Sequence, residues 1–101
     1  MTEQAKSTQL SVKIPEGLEP VYSNLISIRH SDDEVTLTFL HKIPETNMAV
    51  GRAIVAITPQ HAKRLLNALK VNIQRYESVY GEIKLPEAPV MPKEDNNVEV
   101  A

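Results

Sequence analysis

Along residues 21–80, apolar residues first recur at every second position and later at every third or fourth position. Residues 21–29 alternate, with Tyr22, Ile26 and Ile28 on one side, which predicts a half-buried strand. Residues 35–39 alternate apolar residues with threonines and predict a second strand. Residues 30–33, His-Ser-Asp-Asp, are typical of a turn, because short polar side chains can bond their own backbone. We therefore expect the two strands to form a hairpin.

A third strand is predicted over residues 49–57, after a loop that contains Pro44. Ile54 and Ala56 would face one way and Ala53, Val55 and Ile57 the other, so both faces are apolar. That pattern is typical either of a central strand or of a strand with a second buried surface, which another copy of the chain could supply. Gly51 indicates a bulge or a close approach of another backbone.

The sequence Thr58-Pro59 predicts the start of a helix. A threonine side chain accepts from the free amides of the first turn, and proline at the first helical position loses no helical hydrogen bond. Apolar residues then recur at spacings of three and four, which places them on one side of a helix that ends before Gly81. These residues are Ala62, Leu65, Leu66, Leu69, Ile73, Tyr76 and Tyr80.

These elements predict an α+β fold, a three-stranded antiparallel sheet that carries one long amphipathic helix across one face. The predicted core is Ile26, Ile28, Val35, Leu37, Phe39, Leu65, Leu66, Leu69, Ile73 and Tyr76. About 60 residues would fold, and a domain of that size buries only ~60% of its unfolded surface. We therefore expect a homo-oligomer.

The two ends lack such periodicity. Residues 1–20 are expected to be a disordered arm, and residues 84–101 a disordered, proline-rich acidic tail with Pro86, Pro89 and Pro92. The predicted domain is residues 21–83.

Several motifs in this domain resemble a small prokaryotic family that is described only as a domain of unknown function. They are Tyr22-x-Asn24, His30-Ser31, Leu37-x-Phe39, Pro44, Arg52 and the helical run Thr58-Pro59-x-His61-Ala62-Lys63-Arg64-Leu65-Leu66, continued by Ala68-Leu69, Asn72-Ile73, Tyr76-Glu77 and Tyr80-Gly81-x-Ile83. The helical run is the specific part. The resemblance covers residues 21–83 and implies a compact unit from bacteria and archaea. It implies no activity, and no functional residue is carried over from it.

The amino-acid composition excludes several classes of functional site. The chain has no cysteine, which excludes disulfides, thiolate metal sites and thiol nucleophiles and fits a reducing compartment. No apolar run approaches the ~20 residues that span a bilayer, and residues 1–13 lack the apolar segment of a signal peptide. We expect a cytoplasmic protein without a membrane partner.

The sequence contains no recognisable catalytic or metal-binding motif. His30, His41 and His61 share no ligand spacing, and we expect structural or surface roles for them. His30 beside Asp32, Asp33 and Glu34 could hold a cation or act as a base, but solvation of a turn is the simpler interpretation. We predict no enzyme activity and no cofactor.

The polar side of the helix is the candidate interaction surface. Its residues are Lys63, Arg64, Asn67, Lys70, Val71, Arg75 and Val79. The apolar sector of the helix is wider than one sheet face requires, which favours a self-associating, non-enzymatic module that binds another protein. The alternative is nucleic-acid binding through Lys63, Arg64, Lys70 and Arg75, since clustered basic residues neutralise phosphates. Four basic residues are also ordinary on a solvated helix face.

Overall fold

The computed structural model describes residues 9–86 and 98–101. They form strands β1 (Leu25–His30), β2 (Val35–Lys42), β3 (Ala49–Ile57) and β4 (Glu99–Val100), with helix α1 (Pro59–Tyr80) between β3 and β4. The α+β class and the order of three strands followed by one long helix are confirmed.

The strands form one antiparallel sheet in the order β3-β2-β1-β4. β1 and β2 pair as the predicted hairpin, whose turn is closed by the amide of Ser31 donating to the carbonyl of Glu34 at 2.9 Å. The Ser31 hydroxyl lies 2.9 Å from a carboxylate oxygen of Asp33, as expected of polar turn residues. β2 is central and β3 lies at an edge, so the interpretation of β3 as a central strand is wrong.

A bulge interrupts the β2–β3 ladder. Phe39 pairs with Ala53, whereas Leu40 pairs with Gly51, so Arg52 is an extra residue in β3. A Cβ built on Gly51 would meet nothing within 4 Å. Of the two interpretations of Gly51, the bulge is therefore confirmed and the close backbone approach is wrong.

β1 begins at Leu25 rather than at residue 21. Before it, the Asn24 side chain bonds the backbone of Lys42 in both directions, accepting from its amide at 2.7 Å and donating to its carbonyl at 3.2 Å. The ring of Tyr22 meets that of His41 edge-on, with centroids 5.4 Å apart. Side chains thus reinforce the β1–β2 association around its last backbone bond, which the Asn24 amide donates to the carbonyl of Leu40 at 3.1 Å.

The end of the chain differs from the prediction. Glu99 and Val100 form β4 against β1, and Ala101 exchanges two backbone hydrogen bonds of 2.8 Å with Ile26. The prediction of a disordered tail is wrong for these residues, because backbone pairing with an open sheet edge needs no long apolar pattern. Most of the remaining tail, residues 87–97, lies outside the described residues.

Both helix ends form as the sequence predicted. The Thr58 hydroxyl accepts from the amide of His61 at 3.1 Å, and Pro59 is the first helical residue. At the other end Gly81 has φ +98° and donates its amide to the carbonyl of Glu77 at 2.9 Å. A positive φ is strained for residues with a Cβ, which is why glycine suits this position.

The expected packing of α1 across a face of the sheet is not found within the chain. No residue of α1 is buried, and the extensive contacts between elements join neighbouring strands. The cause is the connection. Thr58 alone separates β3 from α1, and its backbone is extended at φ −75° and ψ 158°. Connections between strands and helices that pack together usually have two to six residues, so one extended residue leaves little room for the chain to turn back.

The predicted core is consequently not a core in the single chain. Of the residues described, Val98 is the one apolar side chain that is buried, at 3% exposure. The predicted core residues on β1 and β2 are half-buried, and Leu65, Leu66, Leu69, Ile73 and Tyr76 on α1 are exposed. The apolar residues were predicted correctly on their elements, but residues 9–86 and 98–101 provide no surface that covers those of α1.

The hydroxyl of Thr58 should contribute measurably to stability. Thr58→Ala removes the acceptor for the His61 amide and is expected to lower the free energy of unfolding by about 1 kcal/mol. Thr58→Ser keeps a hydroxyl and should stay close to the parent. Urea denaturation followed by far-UV circular dichroism, at one protein concentration, compares the three proteins. Equal midpoints for the alanine and serine variants would show that the cap contributes nothing.

Candidate functional site

The first candidate surface is the apolar side of α1, which we call the helix stripe. It consists of Ala62, Leu65, Leu66, Leu69, Ile73, Tyr76 and Tyr80. Leu66 is 65% exposed and Leu69 53%, and a shallow groove runs between them and Ile73, bordered on its polar side by Lys70 and Gln74. The rings of Tyr76 and Tyr80 lie 4.8 Å apart at the far end. A helix of 22 residues is about 33 Å long, so the stripe is an extended apolar surface.

The second candidate surface is one face of the sheet, which we call the apolar sheet face. Paired residues of an antiparallel sheet lie on the same side, and the register aligns Ile26 with Phe39 and Ala53, Ile28 with Leu37 and Val55, and Val35 with Ile57. Val55 remains 42% exposed, and the others are half-buried. The opposite face is polar or mixed, with rows such as Ser27, Thr38 and Ile54. The sheet therefore has one side suited to packing.

The candidate interaction surface predicted on the polar side of the helix is exposed. All of its residues lie at the surface: Lys63, Arg64, Asn67, Lys70, Val71, Arg75 and Val79. At 3.6 residues per turn, however, the basic residues form two pairs about 120° apart around the axis, Lys63 with Lys70 and Arg64 with Arg75. One phosphate backbone lying along the helix would meet one pair at a time, so the arrangement adds no support for nucleic-acid binding.

The three histidines lie in different places. His30 ends β1 and pairs with Val35, and His41 lies six residues further along β2, about 20 Å away at the rise of a strand. His61 is in the first turn of α1. Among the described residues, no group of three or more histidine, aspartate or glutamate side chains could hold a metal ion.

An open cleft of about 670 Å³ lies where β3 meets α1. It is lined by Asp33, Glu34, Ala56, Ile57, Thr58, His61 and Arg64. Asp33 and Glu34 both take part in the hydrogen bonds of the β1–β2 turn. The alternative that His30, beside Asp32, Asp33 and Glu34, holds a cation or acts as a base gains no geometric support from this cleft, because His30 does not line it. The Asp33 carboxylate bonds the Ser31 hydroxyl, and Glu34 serves the turn through its backbone carbonyl.

The N-terminal arm contains a short apolar pattern, contrary to the prediction that residues 1–20 lack one. Leu10, Val12 and Ile14 alternate with polar residues, and all three are strongly exposed, Leu10 at 84% and Val12 at 80%. Residues 9–14 form no strand or helix. The alternation is a strand signal, although it covers only three apolar positions and is followed by Pro15.

Comparisons with known proteins give one result. A family model described as "Protein of unknown function (DUF3467)" matches residues 1–85, which takes in the arm, β1 to β3 and α1. No curated protein and no solved structure matches the chain significantly. Within the described part of the chain, α1 is too polar to cross a lipid bilayer.

Proposed function

The chain belongs to the family "Protein of unknown function (DUF3467)", and we propose that it acts as a non-enzymatic, self-associating protein-interaction module. The observation that carries this proposal is the exposure of the helix stripe and the apolar sheet face in one chain. Large contiguous apolar patches on soluble proteins mark interaction sites, because water makes their exposure costly.

The occupant of these surfaces is a second copy of the chain. A helix with one apolar side and a sheet with one apolar face are the two layers that normally pack on each other in α+β proteins. The two surfaces overlap in part: α1 is about 33 Å long, and the apolar rows from Ala53 to Ile57 span about 13 Å of β3, so one sheet face covers part of the stripe. Since Thr58 leaves little room for the helix to fold back onto its own sheet, the stripe of one copy would lie across the apolar sheet face of another. The exchange is reciprocal in a two-fold dimer, so the apolar sheet face and part of the stripe are covered in both copies.

The charge pattern is compatible with this arrangement. The basic residues of α1 are not part of the stripe. Lys70 borders it and lines the groove beside Leu66 and Leu69, where its long stem can pack on the apolar surface while its ammonium group stays at the edge in water. The polar side of the helix would stay at the surface of the dimer. It is there that a further protein partner would bind, at Asn67, Val71 and Val79 among others.

Sedimentation velocity of the full chain from 1 to 200 µM tests the proposal; we expect the mass of a dimer or a larger assembly at the upper end. A matched variant with Lys63, Arg64, Lys70 and Arg75 all changed to glutamate should keep that mass, because these side chains lie outside the stripe. A strict monomer at 200 µM would remove the basis of the proposal.

The same charge-reversal variant tests the alternative of nucleic-acid binding. If the helix binds nucleic acid, the parent chain should retard single- or double-stranded probes in a gel at low salt, and the variant should not. We expect no retardation by either protein. Salt-sensitive binding by the parent that the four substitutions abolish would favour the alternative.

A further inference from the structure

The outer edge of β3 is an unpaired sheet edge. β3 is nine residues long, and among the described residues it pairs with β2 alone. A long edge with exposed apolar side chains is an open template for another strand, and proteins normally blunt or cover such edges. The bulge disturbs the edge at Gly51 and Arg52, whereas Ala53 to Ile57 remain regular. In this regular five-residue stretch, every second residue points its N–H and C=O groups away from β2 and towards the open edge.

The N-terminal arm contains a segment that fits this edge. Residues 9–14 are exposed, and none of their backbone groups takes part in a backbone hydrogen bond within the described chain. Leu10, Val12 and Ile14 would point to one side of a strand, and Gln9, Ser11 and Lys13 to the other. Pro15, which lacks an amide donor, ends the segment.

The two sides of the arm match the two faces of the sheet. An added strand continues both faces, so a strand with one apolar and one polar side suits a sheet with one apolar and one mixed face. Leu10, Val12 and Ile14 would extend the apolar sheet face beyond Val55. The polar residues would extend the opposite face. The family model also begins at residue 1, so the arm is part of the matched unit.

We propose that residues 9–14 of one copy add as a strand to the β3 edge of a second copy. This inference rests on the proposed self-association and specifies one of its contacts. Ten residues separate Ile14 from β1. A turn closed by the amide of Leu18 donating to the carbonyl of Pro15 at 3.1 Å shortens this connection, and residues 19–24 can still reach about 20 Å when extended, enough to cross to a neighbouring copy. Leu25 lies level with Leu40 and Gly51, so the arm enters beside the bulged end of its own β3 rather than beside the regular part of that edge.

Cysteine crosslinking tests the contact without background, because the natural chain has no cysteine. A chain with Val12→Cys is mixed, under oxidation, with a tagged chain of different mass that carries one edge cysteine. The edge cysteine is introduced on the apolar sheet face in three separate chains, by Ala53→Cys, Val55→Cys or Ile57→Cys. The matched controls carry it on the opposite face, by Ile54→Cys or Ala56→Cys. A disulfide forms only where two Cα atoms lie within about 7 Å with their Cβ atoms facing each other.

We expect a mixed-mass disulfide dimer with one apolar-face partner, in several-fold higher yield than with either control. Equal yields on both faces would overturn the inference. So would the failure of all mixed pairs while sedimentation still shows an oligomer, which leaves the proposed function standing. In a chain carrying both Val12→Cys and Val55→Cys, disulfides confined to monomer mass would assign the arm to its own sheet. Disulfides between two Val55→Cys chains alone would assign the edge to β3–β3 pairing. A strict monomer in sedimentation would contradict both the proposed self-association and the proposed strand addition.

Discussion

Leu69→Asp should convert the self-associated protein to dissociated chains, with association weakened at least about 100-fold, or about 3 kcal/mol. Leu69 lies in the middle of the helix stripe and is 53% exposed in the single chain. The substitution therefore costs little in an isolated helix. In the proposed dimer it would bury a carboxylate without a partner against the apolar sheet face, which is strongly unfavourable. Sedimentation velocity across a dilution series measures the change.

Val71→Asp is the matched control for this experiment. Val71 lies on the polar side of the same helix and is 43% exposed. An aspartate at either position should therefore have a similar effect on the stability of a single chain. In the proposed dimer the two substitutions should have different effects, because only Leu69 faces the partner. Leu69→Ala, which removes apolar area without adding charge, should weaken association by a smaller factor and guards against a variant that fails to fold. Equal dissociation by Leu69→Asp and Val71→Asp would place the contact elsewhere.

The thermal midpoint should rise with protein concentration, by about 4 °C for each tenfold increase. The physical reason is that the described chain buries almost no apolar side chain by itself, so in the proposed dimer we expect folding and association to occur together. When a folded dimer unfolds to separate chains, higher concentration favours the folded side by mass action. Circular dichroism melts at 2, 20 and 200 µM give the slope.

The concentration dependence should disappear in chains that cannot associate. Leu69→Asp is expected to melt at a lower temperature that no longer changes with concentration, or to show no cooperative melt. Val71→Asp should keep the slope of the parent. A parent midpoint that stays constant over the hundredfold range would show that a single chain folds without help, in contradiction of the dimer.

The local signals in the sequence were sufficient to predict the helix and most of the sheet. Thr58, Pro59 and Gly81 mark the ends of α1 through backbone chemistry that acts within a few residues. The alternation in β2 and β3 likewise placed the apolar residues on their correct sides. The start of β1 was misjudged because Asn24 bonds Lys42 through its side chain, a contact between residues far apart in the chain.

The candidate site was predicted only in part, since it depends on where the elements lie relative to each other. The stripe residues were assigned to a core within the chain, and the structure exposes them. The arm residues Leu10, Val12 and Ile14 were not recognised, because a three-residue alternation has meaning only beside an open sheet edge. The edge position of β3 could not be predicted either, since apolar residues on both sides of a strand are equally typical of a central strand.

The amino-acid sequence by itself determined the elements of this protein, their order and the apolar side of each, because these depend on hydrogen bonds and periodicity over short stretches of chain. The tertiary structure alone decided that β3 lies at an edge, that Glu99 and Val100 join the sheet, and that α1 leaves the sheet rather than covering it. The last of these rests on a single extended residue, Thr58, between strand and helix. Whether an apolar side becomes a core or an interface depends on whether the chain can turn back to cover it, and here one residue allows too little room.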